Sequence, residues 1–197
     1  MEKIIIGIDE AGRGPLAGPV AVGAFAIKSK EVLKYFKGVK DSKQLSAKQR
    51  EVWFGEIKRL RALNKIGFAV SFSSEVVIDR QGISKAVALS IARCLKKLTK
   101  QGFCVPRSEI KLDGLLKAPI KYKNQRTIIG GDESEPLIAL ASICAKVLRD
   151  RKMGSLAKKY PHYGLEIHKG YGTKKHYAAI SKYGVAEFHR KSYLKNK

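Results

Sequence analysis

The hydrophobic pattern of the chain switches between a period of two and a period near 3.6. Ile4, Ile5, Ile6 and Ile8 form a β-branched run over residues 3–8 that stops at the acidic pair Asp9 and Glu10, which predicts a buried strand ending in carboxylates. A second apolar run over residues 19–27 and an alternating one over 66–72 predict two further strands. Ser46-Ala47-Lys48-Gln49 has the spacing of a capping box, in which Ser and Gln satisfy each other's orphan amides, and it opens a helical pattern to about residue 63. Val87, Ile91, Leu95 and Leu98 recur at helical spacing within 84–100. Two short strands follow, over 109–113 and 126–129. A long apolar helix then starts near Ser134, with Pro136 in its first turn, where a missing N–H costs nothing. Strands before, between and after helices predict a mixed α/β class with crossover helices.

The length of 197 residues and a hydrophobic fraction of 44% suit one unit with a real core. Lys and Arg number 40 against 17 Asp and Glu, a formal net charge of +23, and so large an excess predicts a polyanionic partner, nucleic acid before any other. The competing use of such charge is a lysine-rich surface of the kind found in proteins from hot environments. The three cysteines lack the spacing of a disulfide framework or a zinc site. Neither a leader nor an apolar run long enough for a membrane is visible, so a cytoplasmic, unexported protein is expected. Composition shifts after Asp150. Residues 1–150 read as the core, and residues 151–197, which hold all four histidines and six of the eight tyrosines among many lysines, read as a basic C-terminal subdomain of the same unit. Such a mixture suits a phosphate backbone with exposed sugars and bases, the alternative being a solvated helical face.

Acids recur at strand ends. Asp9 and Glu10 precede a glycine-rich turn, Gly12-Arg13-Gly14, whose glycines allow positive φ or close approach to a phosphate. Asp113 closes a strand before Gly114, and Asp132 follows Ile128-Ile129-Gly130-Gly131. Three parallel neighbouring strands would deliver Asp9, Asp113 and Asp132 to one rim, where α/β folds bind ligands. Carboxylates so crowded repel one another unless a cation lies between them, and all-oxygen donors select Mg²⁺ or Mn²⁺.

Gly7-Ile8-Asp9-Glu10-Ala11-Gly12-Arg13-Gly14-Pro15 resembles the signature of the type 2 ribonucleases H, in their bacterial form. Asp41-Ser42-Lys43, Leu112-Asp113-Gly114, the stretch from Ala141 to Asp150 and His168-Lys169-Gly170-Tyr171-Gly172-Thr173 resemble its later motifs in the same order, so the likeness spans nearly the whole chain. It implies a ribonuclease H-like fold: a five-stranded mixed sheet flanked by helices, with a helical C-terminal part. It implies endonucleolytic hydrolysis of the RNA of RNA/DNA hybrids and of DNA-embedded ribonucleotides, as in ribonucleotide excision and DNA replication and repair, by two-metal catalysis that leaves 5′-phosphate and 3′-hydroxyl ends. Asp9, Glu10, Asp113 and Asp132 would be the catalytic, metal-binding carboxylates. For the fourth, Asp150 is the rival, set in a helix where pairing with a neighbouring arginine is its other use, and Glu133 is an outside candidate. Gly12, Arg13 and Gly14 correspond to the segment that contacts the ribose 2′-hydroxyl, and Tyr171 to the tyrosine that packs on the sugar at an RNA-to-DNA junction. Lys43, Lys146 and Lys169 would contact nucleic acid, Lys146 having the alternative of pairing with a carboxylate. His168 and His176 read as surface or stacking residues rather than acid–base groups. The expected partners are a hybrid and a ribonucleotide-containing duplex, met by a monomer. Two other readings compete: a DNA nuclease or resolvase on the same fold, and a non-catalytic basic nucleic-acid-binding protein.

Overall fold

A computed structural model describes residues 4–39 and 45–194. The motif Asp41-Ser42-Lys43, and with it the expected role of Lys43, lies outside the described residues. Five strands form one mixed sheet: β1 (Ile5–Ala11), β2 (Val20–Ile27), β3 (Ile66–Ser73), β4 (Glu109–Asp113) and β5 (Gln125–Ile128), in the order β3-β2-β1-β4-β5. β2 runs antiparallel to both β1 and β3, whereas β1, β4 and β5 are successive parallel neighbours. This is the adjacency the strand-end acids require.

Alternation along the strands sends side chains to two cores. Ile5, Phe25, Ile27 and Val70 face α1 (Ala47–Ala62) and α5 (Pro136–Lys159). Ile6, Ile8, Val22 and Ala24 face α2 (Glu75–Gln81) and α3 (Ile83–Lys100), whose Val87, Ile91, Leu95 and Leu98 are buried there. The capping box forms as read: Ser46 Oγ accepts from the Gln49 amide at 3.2 Å and Gln49 Oε1 from the Ser46 amide at 2.8 Å. Short helices α4 (Gly131–Ser134), α6 (Leu165–His168) and α7 (Lys174–Tyr183) complete the set.

How α5 meets the sheet decides what faces the strand ends. A Cβ on Gly7 would lie 2.2 Å from the Leu137 carbonyl carbon, and one on Gly23 would lie 2.1 Å from Ala141 O. The helix backbone therefore rests directly on β1 and β2, an approach only glycine permits. Beyond residue 150 the same helix continues, and Met153 and Ala157 pack with Tyr163, Leu165, Ala179 and Phe188 in a third cluster that also takes Ala17. The C-terminal residues are thereby built onto the last turns of α5 and the loop after β1. No helix among the described residues is long and apolar enough to cross a membrane.

Two boundaries depart from the sequence reading. β1 extends to Ala11, so Asp9 and Glu10 lie inside the strand, opposite Gly23 and Val22. The ladder with β2 continues past the last isoleucine, and that pairing is non-local. The helix expected from Ser134 is split: α4 ends at Ser134, Glu135 is extended, and α5 begins at Pro136. Proline disfavours a helical conformation in the residue before it, which accounts for the break.

Candidate active site

A cavity of about 420 Å³ opens at the carboxyl end of β1, lined by Asp9, Glu10, Ala11, Gly12, Arg13, Gly14, Arg50, Asp113, Ser142, Lys146 and Tyr171. β1 supplies the first acids and β4 the third. The turn after β1 gives the glycine-rich edge, and α5 gives Ser142 and Lys146 from positions one turn apart. Tyr171, 45% exposed, closes the side formed by the C-terminal residues.

Asp9 is the most confined of these groups, 4% exposed, with Oδ1 accepting from the Glu10 amide at 2.6 Å. Burial pushes its carboxyl up to about 8; a hydrogen bond from Ser142 opposes this, and the nearby charges of Glu10 and Asp113 add to it. Glu10 is met by Arg13 Nε at 2.9 Å. Asp113 Oδ1 accepts from the amides of Gly131 and Asp132, at 2.8 and 3.3 Å, which ties the turn after β5 to the end of β4. Asp132, 2% exposed, sits behind this contact rather than on the cavity wall. Asp150 is engaged elsewhere: Lys146 Nζ lies 2.9 Å from its Oδ1 and Arg50 Nη2 3.9 Å from its Oδ2. Lys146 thus lines the cavity while paired to a carboxylate, so both of its expected uses are open to it.

Lys169 is not on the cavity wall; it caps α6 in a left-handed conformation at φ 51°, and its carbonyl accepts from Arg149 at 3.1 Å. His168 and His176 are buried rather than at the surface, stacked with ring centroids 4.3 Å apart. Arg50 and Ser142 are wall residues that sequence reasoning missed. Ser142 carried a signal, a lone hydroxyl in an otherwise apolar helical run. Arg50 carried none, since its place depends on α1 crossing α5.

The donor chemistry suits a hard divalent cation. Asp9, Glu10 and Asp113 offer carboxylate oxygens only, no thiol or imidazole lines the cavity, and an acid pushed up to about 8 is one whose ionised form a nearby cation would restore. Among the described residues no three such groups are gathered at metal-ligand spacing.

A five-stranded mixed sheet of this order, with acids from β1 and β4 at one rim, defines the ribonuclease H-like class of proteins. The chain matches the family model described as Ribonuclease HII over residues 6–196. It is 42% identical to a ribonuclease HII of Caldicellulosiruptor bescii over 194 residues, which covers 98% of this chain and 88% of that one. The ribonuclease HII in the PCNA:RNase HII complex of Archaeoglobus fulgidus superposes with a TM-score of 0.74 at 26% identity, covering 98% of this chain and 94% of that one. Bst-RNase HIII, solved in complex with Mn²⁺, superposes with a TM-score of 0.61 at 20% identity, over 92% of this chain and 70% of its own, a likeness of fold. This chain belongs to the ribonuclease HII family.

Proposed function

We propose that this chain, an endonuclease of the ribonuclease HII family, hydrolyses the RNA strand of RNA/DNA hybrids and single ribonucleotides embedded in DNA, leaving 5′-phosphate and 3′-hydroxyl ends. The observation that carries the reading is the shared cavity, in which Asp9, Glu10 and Asp113 face the Gly12–Gly14 turn and Tyr171 across about 420 Å³. Acids for chemistry and contacts for a ribose lie within one nucleotide's reach.

In this reading Asp9, Glu10, Asp113 and Asp132 hold the divalent ions. Bound Mg²⁺ or Mn²⁺ would supply Lewis acidity toward the attacking water and the departing O3′. Water oxygen bonds to phosphorus, the P–O3′ bond breaks, O3′ gains a proton, and the phosphate stays with the downstream nucleotide. The chain's own groups set the geometry. Ser142 holds Asp9 by a hydrogen bond that favours its ionised form. Asp113 fixes the turn that carries Asp132, which favours Asp132 over Asp150 as the fourth acid. The Arg50 and Lys146 cations, which line the same cavity and share Asp150, offset phosphate charge. The 2′-hydroxyl, both donor and acceptor, is what a rigid main-chain site can use to tell RNA from DNA. Residues 151–197 add a basic, tyrosine-bearing face for the duplex.

The test is incubation with a duplex bearing one ribonucleotide, beside its all-deoxy counterpart, with and without Mg²⁺ or Mn²⁺. Metal-dependent cutting of the first alone is expected. Cutting of both would mark a general DNA nuclease, and binding of both without products would mark a non-catalytic protein.

A further inference from the structure

Arg149 and Arg190 are wholly buried, and neither forms a salt bridge among the described residues; the nearby charges of Asp150 for Arg149 and of Glu75 and Asp79 for Arg190 act without direct contact. A buried charge without a counter-ion is costly unless dipoles surround it. Here the dipoles are main-chain carbonyls. Arg190 donates through Nη2 to Gly12 O at 2.6 Å, through Nη1 to Arg13 O at 2.8 Å and through Nε to Gly18 O at 2.9 Å. Arg149 donates to Pro19 O at 3.0 Å, to Ala17 O at 3.4 Å and to Lys169 O at 3.1 Å, and lies beneath Gly12, where any Cβ would meet its Nε at 1.9 Å. Tyr193 adds a hydroxyl donor to Arg13 O at 3.1 Å.

The consequence follows from peptide geometry. In a planar trans peptide the C=O and the N–H of the same unit point in opposite directions. Drawing Gly12 O and Arg13 O inward onto one guanidinium therefore turns the amides of Arg13 and Gly14 outward, on the side where both residues line the cavity. Neither amide donates to any acceptor among the described residues. A guanidinium can do this because its donors form a rigid planar fork that spans two successive carbonyls, which an ammonium, a single point, does not match.

We propose that Arg190 is a positioning residue for substrate recognition: through the carbonyls of Gly12 and Arg13 it aims the Arg13 and Gly14 amides at the ribonucleotide's sugar and phosphate oxygens. Arg149 supports the same loop from beneath. The inference rests on the functional reading above and adds to it the source of the loop's rigidity, a side chain that never touches substrate. It also explains why the C-terminal residues return to the loop after β1, where Arg190 N donates to Leu16 O at 2.8 Å and Gly18 N to Phe188 O at 2.8 Å.

The test compares wild type, Arg190→Lys and Tyr193→Phe. For each, kcat/KM is measured on a duplex with one ribonucleotide, affinity on the all-deoxy duplex of the same sequence, and Tm on the free protein. Misaimed recognition groups typically cost up to roughly 10²-fold in rate. Arg190→Lys is therefore expected to lose at least tenfold in kcat/KM on the ribonucleotide duplex while all-deoxy affinity stays within twofold, because the charge is kept and the fork is lost. Tyr193→Phe, which removes one exposed hydrogen bond, is expected to lose severalfold in the same assay with an unchanged Tm. If Arg190→Lys does not fold, Tyr193→Phe alone decides. Full activity of both variants overturns the positioning role. So does a parallel fall in kcat/KM and all-deoxy affinity that tracks Tm, the mark of a merely structural arginine. A wild type that cuts neither duplex would overturn the functional reading itself, and the brace with it.

Discussion

Asp113 and Asp132 are joined through the main chain: the Asp132 amide donates to Asp113 Oδ1 at 3.3 Å, beside the Gly131 amide at 2.8 Å. One oxygen of Asp113 is thus spent on holding the turn that carries the next acid. The Asp113 carboxylate and the main chain carrying Asp132 are a single mechanical unit, and substitutions at Asp113 separate into those that keep the turn and those that do not.

Asp113→Asn keeps an oxygen that can accept both amides and removes the charge. The fold, the Tm and most duplex affinity are expected to survive. Cleavage is expected to fall on the order of 10³-fold, since several kcal/mol of charge stabilisation at the metal site is lost. Asp113→Ala also abandons the turn, so it should add a loss of stability of about 1–3 kcal/mol from two amides left without their acceptor. Turnover near wild type for Asp113→Asn at saturating Mg²⁺ or Mn²⁺ would remove this residue from the site.

Gly23→Ala tests how α5 is seated. The new methyl would fall 2.1 Å from Ala141 O, a main-chain atom that cannot swing aside. Lifting the helix from the sheet is expected to cost about 1–3 kcal/mol in urea unfolding. It should also lower activity more than Tm alone suggests, because Ser142 sits one residue beyond the clash and faces Asp9. An alanine tolerated without change in either measurement would show that the contact relaxes freely.

Legibility in the sequence followed the range of the interactions. The capping box at Ser46 and Gln49 is local and was readable, as were the isoleucine run of β1 and the helical stripe from Val87 to Leu98. The end of β1 was not, because the ladder from Asp9 to Gly23 is set by a neighbouring strand rather than by hydrophobicity. Asp9, Glu10 and Asp113 could be brought together on paper only by assuming parallel strands. Their meeting with Arg50 and Ser142 needed α1 and α5 in place. Arg190 and Gly12, 178 positions apart, form a contact that no local pattern announces, and a basic C-terminal segment reads as surface until its arginine is seen to be buried.

Histidines join the C-terminal residues into a proton-sensitive core. The Ala186 amide donates to His189 Nδ1 at 2.9 Å, His189 Nε2 and His176 Nε2 are 3.1 Å apart, and His176 Nδ1 lies 2.9 Å from Tyr171 O. One neutral tautomer of each ring satisfies all three contacts, with His189 donating to His176 and His176 to Tyr171. Burial pulls His189 down to about 4, with His176 nearby acting the same way, and His176 is also lowered, chiefly by burial. Because the folded value lies below the unfolded one, near 6.5, the unfolded chain takes up protons first. The stability these rings contribute is full above pH 6.5 and is lost as pH falls toward 4. Urea unfolding between pH 7.5 and 4.5 should show a decline on the order of 2 kcal/mol from this source. His189→Gln should flatten that decline; an equally steep one in the variant would place its origin elsewhere.

Tyr171 and Asp9 line the same cavity with different duties, and a duplex containing one ribonucleotide separates them. Tyr171 is half exposed on a turn between Gly170 and Gly172, its carbonyl held by His176, so its ring can lie against a sugar without taking part in metal binding. Removing such a stacking contact typically costs about 1–3 kcal/mol. Tyr171→Ala is therefore expected to lose roughly 5- to 150-fold in kcat/KM on the single-ribonucleotide duplex. Asp9→Asn should be far worse, because it removes a metal-binding oxygen from the buried acid that sits beside Glu10 and Asp113 while leaving duplex affinity intact. The Tyr171→Ala loss should also be larger on the single-ribonucleotide duplex than on an all-RNA strand paired with DNA. Only the first substrate offers one isolated ribose that must be found, whereas along an all-RNA strand a misplaced register still presents a 2′-hydroxyl. Equal losses on the two substrates would reject junction sensing and leave Tyr171 as a packing residue of the C-terminal turn.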